Sequence, residues 1–251
     1  MFAIDIILSG ALGVMGRVVS ECANAQKLSI VAGVDRNDSS ALSFPVYSDF
    51  SDCPSSDVII DFSHPSVLPT LLDFAVSRHI PAVIATTGMS ERDMEAIEQA
   101  AHTTPIFFSF NMSLGVNLLV ALAKQATALL GDGFDIEIIE KHHNKKVDAP
   151  SGTAVMLANA IAETASFEPQ FVYDRHVMRQ RRASNEVGIH SVRGGTIVGE
   201  HEVIFAGTDE IITLSHSARS KNVFAIGALR AAQFLVGCSD GLYDMNSMLQ
   251  G

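Results

Sequence analysis

Gly10, Gly13 and Gly16 follow directly on an apolar run, in Gly10-Ala11-Leu12-Gly13-Val14-Met15-Gly16-Arg17, and lead into a stretch with helical spacing. A strand that turns here and continues as a helix brings bare backbone N–H groups and the positive end of a helix dipole to one point, where a pyrophosphate fits. The spacing is Gly-x-x-Gly-x-x-Gly, a variant of the dinucleotide fingerprint. Its weight comes from its place, after a first strand and before an acid that closes the second strand. That acid is Asp35, whose carboxylate suits the adenosine ribose hydroxyls, while Arg36 beside it suits a 2′-phosphate. Asp35-Arg36 also fits a plain solvated turn.

Apolar runs and helix-period segments alternate through the first ~110 residues, the signature of βαβ units and a parallel sheet. Strands are expected at Ala3 to Leu8, Ser29 to Val34, Asp57 to Asp61, Ala82 to Ala85 and Ile106 to Phe108. Helices are expected from about Val14 to Ala25, around Val67, Leu68, Leu71, Leu72, Ala75 and Val76, and around Met94, Ile97 and Ala101. This is a Rossmann-like, doubly wound α/β half. After Asn111 the pattern changes: a long helix runs from about Leu114 to Leu130 and ends at Gly131-Asp132-Gly133, and Phe134 to His142 alternates like a strand. A helix starts near Ser151, and a polar segment fills Glu168 to Asn185. Strand-like runs follow at Val187–Val192, Ile197–Phe205 and Ile211–Ser215 with no helices between them, which predicts a mixed or antiparallel sheet in a second, α+β domain. A last amphipathic helix covers about Asn222 to Val236.

A formal net charge of −11 argues against a nucleic-acid partner, so any positive field is local and serves a small anion. No apolar run approaches the ~18–20 residues of a membrane helix, and an Asp breaks the apolar start Met1-Phe2-Ala3-Ile4-Asp5; a soluble, cytoplasmic protein is the expectation. Cys22, Cys53 and Cys238 lack the spacing of a zinc site or disulfide framework and read as inert thiols.

The local positive field is found at Glu140-Lys141-His142-His143-Asn144-Lys145-Lys146-Val147-Asp148-Ala149-Pro150-Ser151-Gly152-Thr153-Ala154. Imidazoles, ammonium groups and a helix N-terminus share one short segment, an arrangement that binds a carboxylate and carries its own acids. A solvated loop would explain the lysines but not the Pro-Ser-Gly-Thr helix start. Metal binding by His142 and His143 is a further alternative, although neighbouring strand residues face opposite ways and no acidic third ligand is suitably spaced. Thr86-Thr87-Gly88 and Asn111-Met112-Ser113 fall at carboxyl edges of expected strands, where ligands bind, and equally fit helix capping. His64 reads as a turn residue. Arg175, Arg179, Arg181 and Arg182 read as a solvated loop or flap, Arg193-Gly194-Gly195 and Gly199-Glu200-His201-Glu202 as strand-edge turns, and His201 as structural.

On these residues the chain resembles the 4-hydroxy-tetrahydrodipicolinate reductase (dihydrodipicolinate reductase) family of diaminopimelate and lysine biosynthesis. The Gly10–Arg17 turn, Ala85-Thr86-Thr87-Gly88, Asn111-Met112-Ser113-Leu114-Gly115-Val116-Asn117 and the Glu140–Thr153 signature all match the family pattern. The resemblance implies a reductase using NADH, NADPH or both, without a metal. It makes His142 the general acid and Lys146 a second proton donor and carboxylate partner. His143, Ser151, Gly152 and Thr153 become the cradle of a small dicarboxylate imine. Coenzyme contacts fall to Gly10, Ala11, Gly13, Val14, Met15, Gly16, Asp35, Arg36, Ala85, Thr86, Thr87, Ser109, Phe110, Asn111 and Met112. It also implies a nucleotide domain of residues 1–111 completed by 218–251, a substrate-binding and oligomerisation domain of 112–217, and a homotetramer. Ala85 stands where Gly is frequent and Phe110 where a small residue is common. A dehydrogenase of another amino or keto acid would share the nucleotide half and lack the His142–Thr153 signature. A non-enzymatic redox sensor would have little use for the His-Lys cluster.

Overall fold

The computed structural model describes residues 4–37, 42–176 and 178–250, and the chain divides into two compact units. Unit one is Met1–Leu114 with Lys221–Gly251, and unit two is Gly115–Ser220. Ala3, the expected start of the first strand, lies outside the described residues.

Unit one runs β1 (Asp5–Ser9), α1 (Val14–Ala25), β2 (Ser29–Val34), β3 (Val46–Tyr47), β4 (Val58–Asp61), α2 (Leu68–Arg78), β5 (Ala82–Ile84), α3 (Glu91–Ala101) and β6 (Pro105–Phe108). Unit two holds α4 (Leu114–Leu130, entered from unit one), β7 (Asp135–His142), α5 (Gly152–Thr164), β8 (Gln170–Val172), β9 (Glu186–Arg193), β10 (Gly199–Ala206) and β11 (Ile211–Ala218). The chain then returns to unit one as α6 (Asn222–Leu235), β12 (Gly241–Tyr243) and α7 (Met245–Gln250).

The unit-one sheet has the order β12-β6-β5-β4-β1-β2-β3, and every neighbouring pair is parallel. The central strands are apolar on both sides because helices cover both faces. Ile6, Leu8, Val58 and Ile60 face a core shared with α1 and α6, whereas Ile7, Ile59, Ala82 and Ile84 face one shared with α2 and α3. Strand order reverses at β1, so the carboxyl ends of β1 and β4 flank the crevice where such sheets bind ligands. Helix α6 packs on α1 and on β4, β5 and β6. It fits there because residue 227 is glycine: a Cβ would stand 1.7 Å from the Met112 carbonyl oxygen.

The unit-two sheet is mixed, in the order β11-β10-β7-β9-β8. β10 runs antiparallel to β7 and β11, while β9 runs parallel to β7 and β8. Leu119 and Ala123 of α4 and Leu157 and Ile161 of α5 close one core with Ile136, Ile138, Val187, Val203 and Phe205. Leu114–Gly133 is, by length and composition, apolar enough to cross a membrane, with a mean hydropathy of 1.4. Counting uninterrupted runs misses this, because Asn117, Lys124 and Gln125 break the stretch without lowering its average far. In the fold it sends Leu119 and Ala123 into the core, and Lys124 pairs with Glu163 of α5 at 2.5 Å.

Two sequence readings are corrected here. The Glu168–Asn185 segment contains β8, and two of its arginines are not solvated: Arg175 pairs with Glu186, and Arg182 donates to Asp135 at 2.8 Å and Glu137 at 3.1 Å, whereas Arg179 and Arg181 are exposed as expected. Gly199-Glu200-His201-Glu202, read as a turn and also within the expected Ile197–Phe205 strand, is the first half of β10, with Glu200, His201 and Glu202 paired on both sides.

Gly227→Ala is expected to lose about 1–3 kcal/mol, because overpacking against the Met112 carbonyl outweighs the roughly 1 kcal/mol that alanine normally gains in a helix. Urea unfolding measures it, and an unchanged or raised midpoint would contradict the packing argument.

Candidate active site

Unit one presents its site at the carboxyl ends of β1, β2 and β4. Gly10 has φ +76°, and a Cβ on it would lie 2.5 Å from the Phe62 carbonyl oxygen; a Cβ on Gly16 would lie 2.2 Å from the Gly10 oxygen. Only glycine permits this turn, in which α1 starts at Gly13 with no side-chain cap and no acid in its first turn. The helix end is thereby left to an anion. A cavity of about 560 Å³ lies beside it, lined by Gly10, Gly13, Asp35, Arg36, Phe62 and His64 among others.

Asp35 does more than face this cavity. Its Oδ2 accepts the Leu12 N–H at 2.9 Å and its Oδ1 accepts the Arg36 N–H at 2.8 Å, so the acid also holds the glycine turn in shape. Ala11 and Met112 are buried, and Val14, Thr87 and Phe110 are exposed. Ser109 and Asn111 are bound to each other, with Ser109 Oγ donating to the Asn111 carbonyl at 2.9 Å and Asn111 Oδ1 accepting from Ser113 N–H. Thr86 is buried and gives its hydroxyl to Asp61 at 2.6 Å, leaving only its backbone for a ligand. Asp61, which the sequence reading passed over, is a buried carboxyl at the end of β4 that also accepts from Ser63 Oγ at 2.5 Å. Burial raises its pKa, and the Ser63 and Thr86 hydroxyls oppose that. His64 accepts the Ser66 N–H at the start of a short turn.

Unit two builds its site from strand periodicity. The buried side of β7 carries Ile136 and Ile138 and then, two and four residues on, Glu140 and His142. Cross-strand register extends this polar end: His201 of β10 stands opposite Glu140, His216 of β11 opposite His201, and on β9 Ser191 stands beside Glu140 and Arg193 beside His142. The ring of His142 lies edge-on to His201 with centroids 5.2 Å apart. Its Nδ1 is 2.6 Å from Glu140 Oε2, and its Nε2 lies over Gly199, where a Cβ would approach to 3.1 Å. Burial pushes the Glu140 carboxyl up, but Arg193, His142 and Ser191 more than offset this and hold its pKa down to about 2.

The loop beyond β7 is pinned by Gly194 N–H to the His142 carbonyl at 2.9 Å and by Asn144 N–H to the Gly195 carbonyl at 3.2 Å. Lys146 Nζ is 2.8 Å from Asp148 Oδ2. Ser151 caps α5, its Oγ accepting the Ala154 N–H at 3.2 Å and lying 3.0 Å from His201 Nε2. The hydroxyl expected to bind substrate is 2% exposed and engaged with Ala154 and His201 at the helix entry. Gly152 opens α5 with no atom within 4 Å of where a Cβ would be. His143 Nδ1, Arg193 Nε, His201 Nδ1 and His216 Nδ1 are buried without hydrogen-bond partners, the kind of group that a polar ligand or water satisfies. Among the described residues no three or more His, Cys, Asp or Glu are grouped to hold a metal.

Comparison with known proteins decides the family. The sequence model described as dihydrodipicolinate reductase, N-terminus, matches residues 4–112, and the corresponding C-terminus matches residues 115–249. This chain belongs to the dihydrodipicolinate reductase family. It is 51% identical over 249 residues to the 4-hydroxy-tetrahydrodipicolinate reductase of Caldanaerobacter subterraneus, covering 98% of each chain. It is 44% identical over 247 residues to that of Clostridium novyi, again covering 98% of each. A dipicolinate-bound dihydrodipicolinate reductase from a Paenisporosarcina species superposes with a TM-score of 0.83 at 24% identity, covering 98% of this chain and 99% of the other. Aspartate dehydrogenase from Thermotoga maritima shares the fold more distantly, with a TM-score of 0.53 at 14% identity, covering 93% of this chain and 97% of that one.

Burial, followed by the nearby charge of His142, holds the His201 pKa down to about 4. A histidine depressed in the folded state contributes stability that is fully present above its unfolded pKa of about 6.5 and is lost as pH falls toward about 4. Urea unfolding between pH 7 and pH 4.5 should therefore show wild type losing up to about 3 kcal/mol more than His201→Gln. Parallel pH profiles for the two proteins would contradict a buried neutral ring.

Proposed function

We propose that this family member reduces 4-hydroxy-tetrahydrodipicolinate to tetrahydrodipicolinate with a nicotinamide coenzyme in diaminopimelate and lysine biosynthesis. Unit one holds the nucleotide and unit two holds the substrate. One hydride and one proton are taken up and one water is lost. The coenzyme supplies the hydride; the protein's own residues supply position, charge and the proton.

The observation that carries the reading is the polar end of the unit-two sheet, where the buried His142 imidazole is followed along the chain by Lys146 and the N-terminus of α5, and where polar nitrogens of His201 and His216 are left unpartnered. Hydride addition places electron density on the ring nitrogen of a cyclic imine, and a positioned acid relieves it while the hydroxyl departs as water. His142 donates that proton. Lys146 exchanges Asp148 for a substrate carboxylate and acts as a second donor, and His143, Gly152 and Thr153 complete the cradle at the positive end of α5. Ser151 builds the cradle without donating to it. The dipicolinate bound to the Paenisporosarcina relative supports a planar dicarboxylate as the ligand class.

In unit one, the turn at Gly10–Gly16 receives the pyrophosphate and Asp35 faces the ribose. Asp35 favours NADH, and exposed Arg36 keeps NADPH usable. A homotetramer through the open face of the unit-two sheet belongs to the same reading. That face mixes exposed Val192 and Ile211 with Lys141, which pairs with Glu202 at 3.1 Å and Glu200 at 3.5 Å. Light scattering should return four chains per particle, and a stable monomer would refute the assembly.

His142→Gln should lower kcat by about 10²–10⁴ with coenzyme affinity unchanged, and Lys146→Ala should raise the KM for the imine as well. The assay follows coenzyme oxidation with the pathway imine; near-normal turnover in both variants would end this assignment. Asp35→Ala should move preference toward NADPH but weaken both coenzymes, because the Leu12 N–H loses its acceptor. Fluorescence titration of both coenzymes measures this, and unchanged NADH affinity would disprove the dual role.

A further inference from the structure

We propose that Glu140 is a positioning residue for the reaction: it fixes the His142 ring in the tautomer protonated on Nδ1 and so makes Nε2 the nitrogen through which the catalytic proton moves. The proposal rests on the reading of His142 as the proton donor.

The carboxylate of Glu140 is 0% exposed and serves partners on three elements. Arg193 Nη1 donates to its Oε2 at 2.7 Å and Nη2 to its Oε1 at 2.6 Å, and Ser151 N–H, at the start of α5, donates to Oε1 at 3.1 Å. A guanidinium and a backbone amide can only donate. Both oxygens of Glu140 therefore accept, and the bidentate Arg193 guanidinium against them favours the ionised group. His142 Nδ1 meets Oε2 at 2.6 Å. Against an acceptor that carries no proton, Nδ1 has to be N–H. Nε2 is then a lone pair in the neutral ring and the mobile N–H in the cation.

The surrounding structure holds the ring in place and keeps a side chain away from that nitrogen. Position 199, across from Nε2, is glycine, and a Cβ there would stand 3.1 Å from Nε2. Arg193 is itself anchored, donating to the carbonyls of Val192 at 2.8 Å and Asp148 at 2.7 Å, so Glu140 is held independently of His142. Alternation along β7 sets the pair in register, two residues apart on one face. A carboxylate that only neutralised Arg193 would have no need to meet Nδ1. An amide at 140 cannot replace it, since its NH₂ would face donors.

The experiment compares wild type, Glu140→Gln, Glu140→Asp, His142→Gln and the Glu140→Gln/His142→Gln double variant, as full-length proteins with the imine and coenzyme at fixed pH. Glu140→Gln should lower kcat about 10–10³-fold with KM and coenzyme affinity nearly unchanged. Added to His142→Gln it should cost no more than about threefold further, because the ring it acts through is gone. Glu140→Asp, which keeps the ionised acceptor, should recover at least about tenfold over Glu140→Gln. Near-normal turnover by His142→Gln overturns the functional reading and the inference with it. A slow His142→Gln beside a normal Glu140→Gln overturns the inference alone. So do losses that multiply in the double variant, or a Glu140→Asp no faster than Glu140→Gln. Should Glu140→Gln fail to fold, nitrogen NMR of histidine-labelled wild type decides by itself. The ring signals absent from His142→Gln must report a protonated Nδ1 and a bare Nε2 in the neutral form; the opposite tautomer overturns the proposal.

Discussion

Removing a carboxylate from water costs several kcal/mol, and the cost is offset only when the charge is met by good donors on every side. Glu140 meets that condition with Arg193, His142 and Ser151, and the end of β7, the end of β9 and the start of α5 are all arranged around it. The interaction is demanding in both directions. Deleting one partner would leave a buried charge uncompensated, which typically costs about 3–5 kcal/mol. The same demand makes the geometry unambiguous: with both oxygens occupied by obligatory donors, neither the guanidinium nor the helix entry has an alternative place to rest.

On the proposed function unit one would handle anions by other means. It would bring backbone to the ligand, through glycines that let the Gly10–Gly16 turn close on the Phe62 carbonyl, and it leaves the first turn of α1 without an acid. Asp35 braces the turn through the Leu12 amide. Side chains do the corresponding work in unit two, where imidazoles and a lysine line the polar end of a sheet whose other end is packed with Ile136, Ile138 and Phe205. A backbone cradle suits a phosphate common to many coenzymes, whereas a side-chain cradle can be shaped to one substrate and can also move protons.

The long elements were legible because periodicity needs length. α1, β2, α4 and α6 fall within a residue or so of where apolar spacing puts them. β3, β8 and β12 are two or three residues long and sit at sheet margins, too short to show a period, and β8 is hidden in a charged segment. Gly199-Glu200-His201-Glu202 resembled a turn because glycine and charges are turn residues. Its glycine instead answers to the His142 ring on the neighbouring strand, a tertiary demand that local spacing does not express. The cluster from His142 to Thr153 was readable since it is contiguous. Arg193 and His201 were not, because they arrive from 53 and 61 residues beyond Glu140 through sheet register. Glu140 itself was within reach: an acid two places before a histidine on an alternating strand shares its face.

Lys146 does not meet solvent bare; Asp148, two residues along, sits at 2.8 Å with its side chain 61% exposed. Asp148 is in effect a tethered ligand, and short tethers give effective concentrations of about millimolar or more. A stray monovalent anion must outcompete that tether with one contact. On the proposed function a dicarboxylate would bring a second contact at the helix end, and the Asp148 it displaced would return to water at little cost. The short leash between the two residues would then work as a threshold on ligand valency, set by chain connectivity rather than by the shape of a pocket.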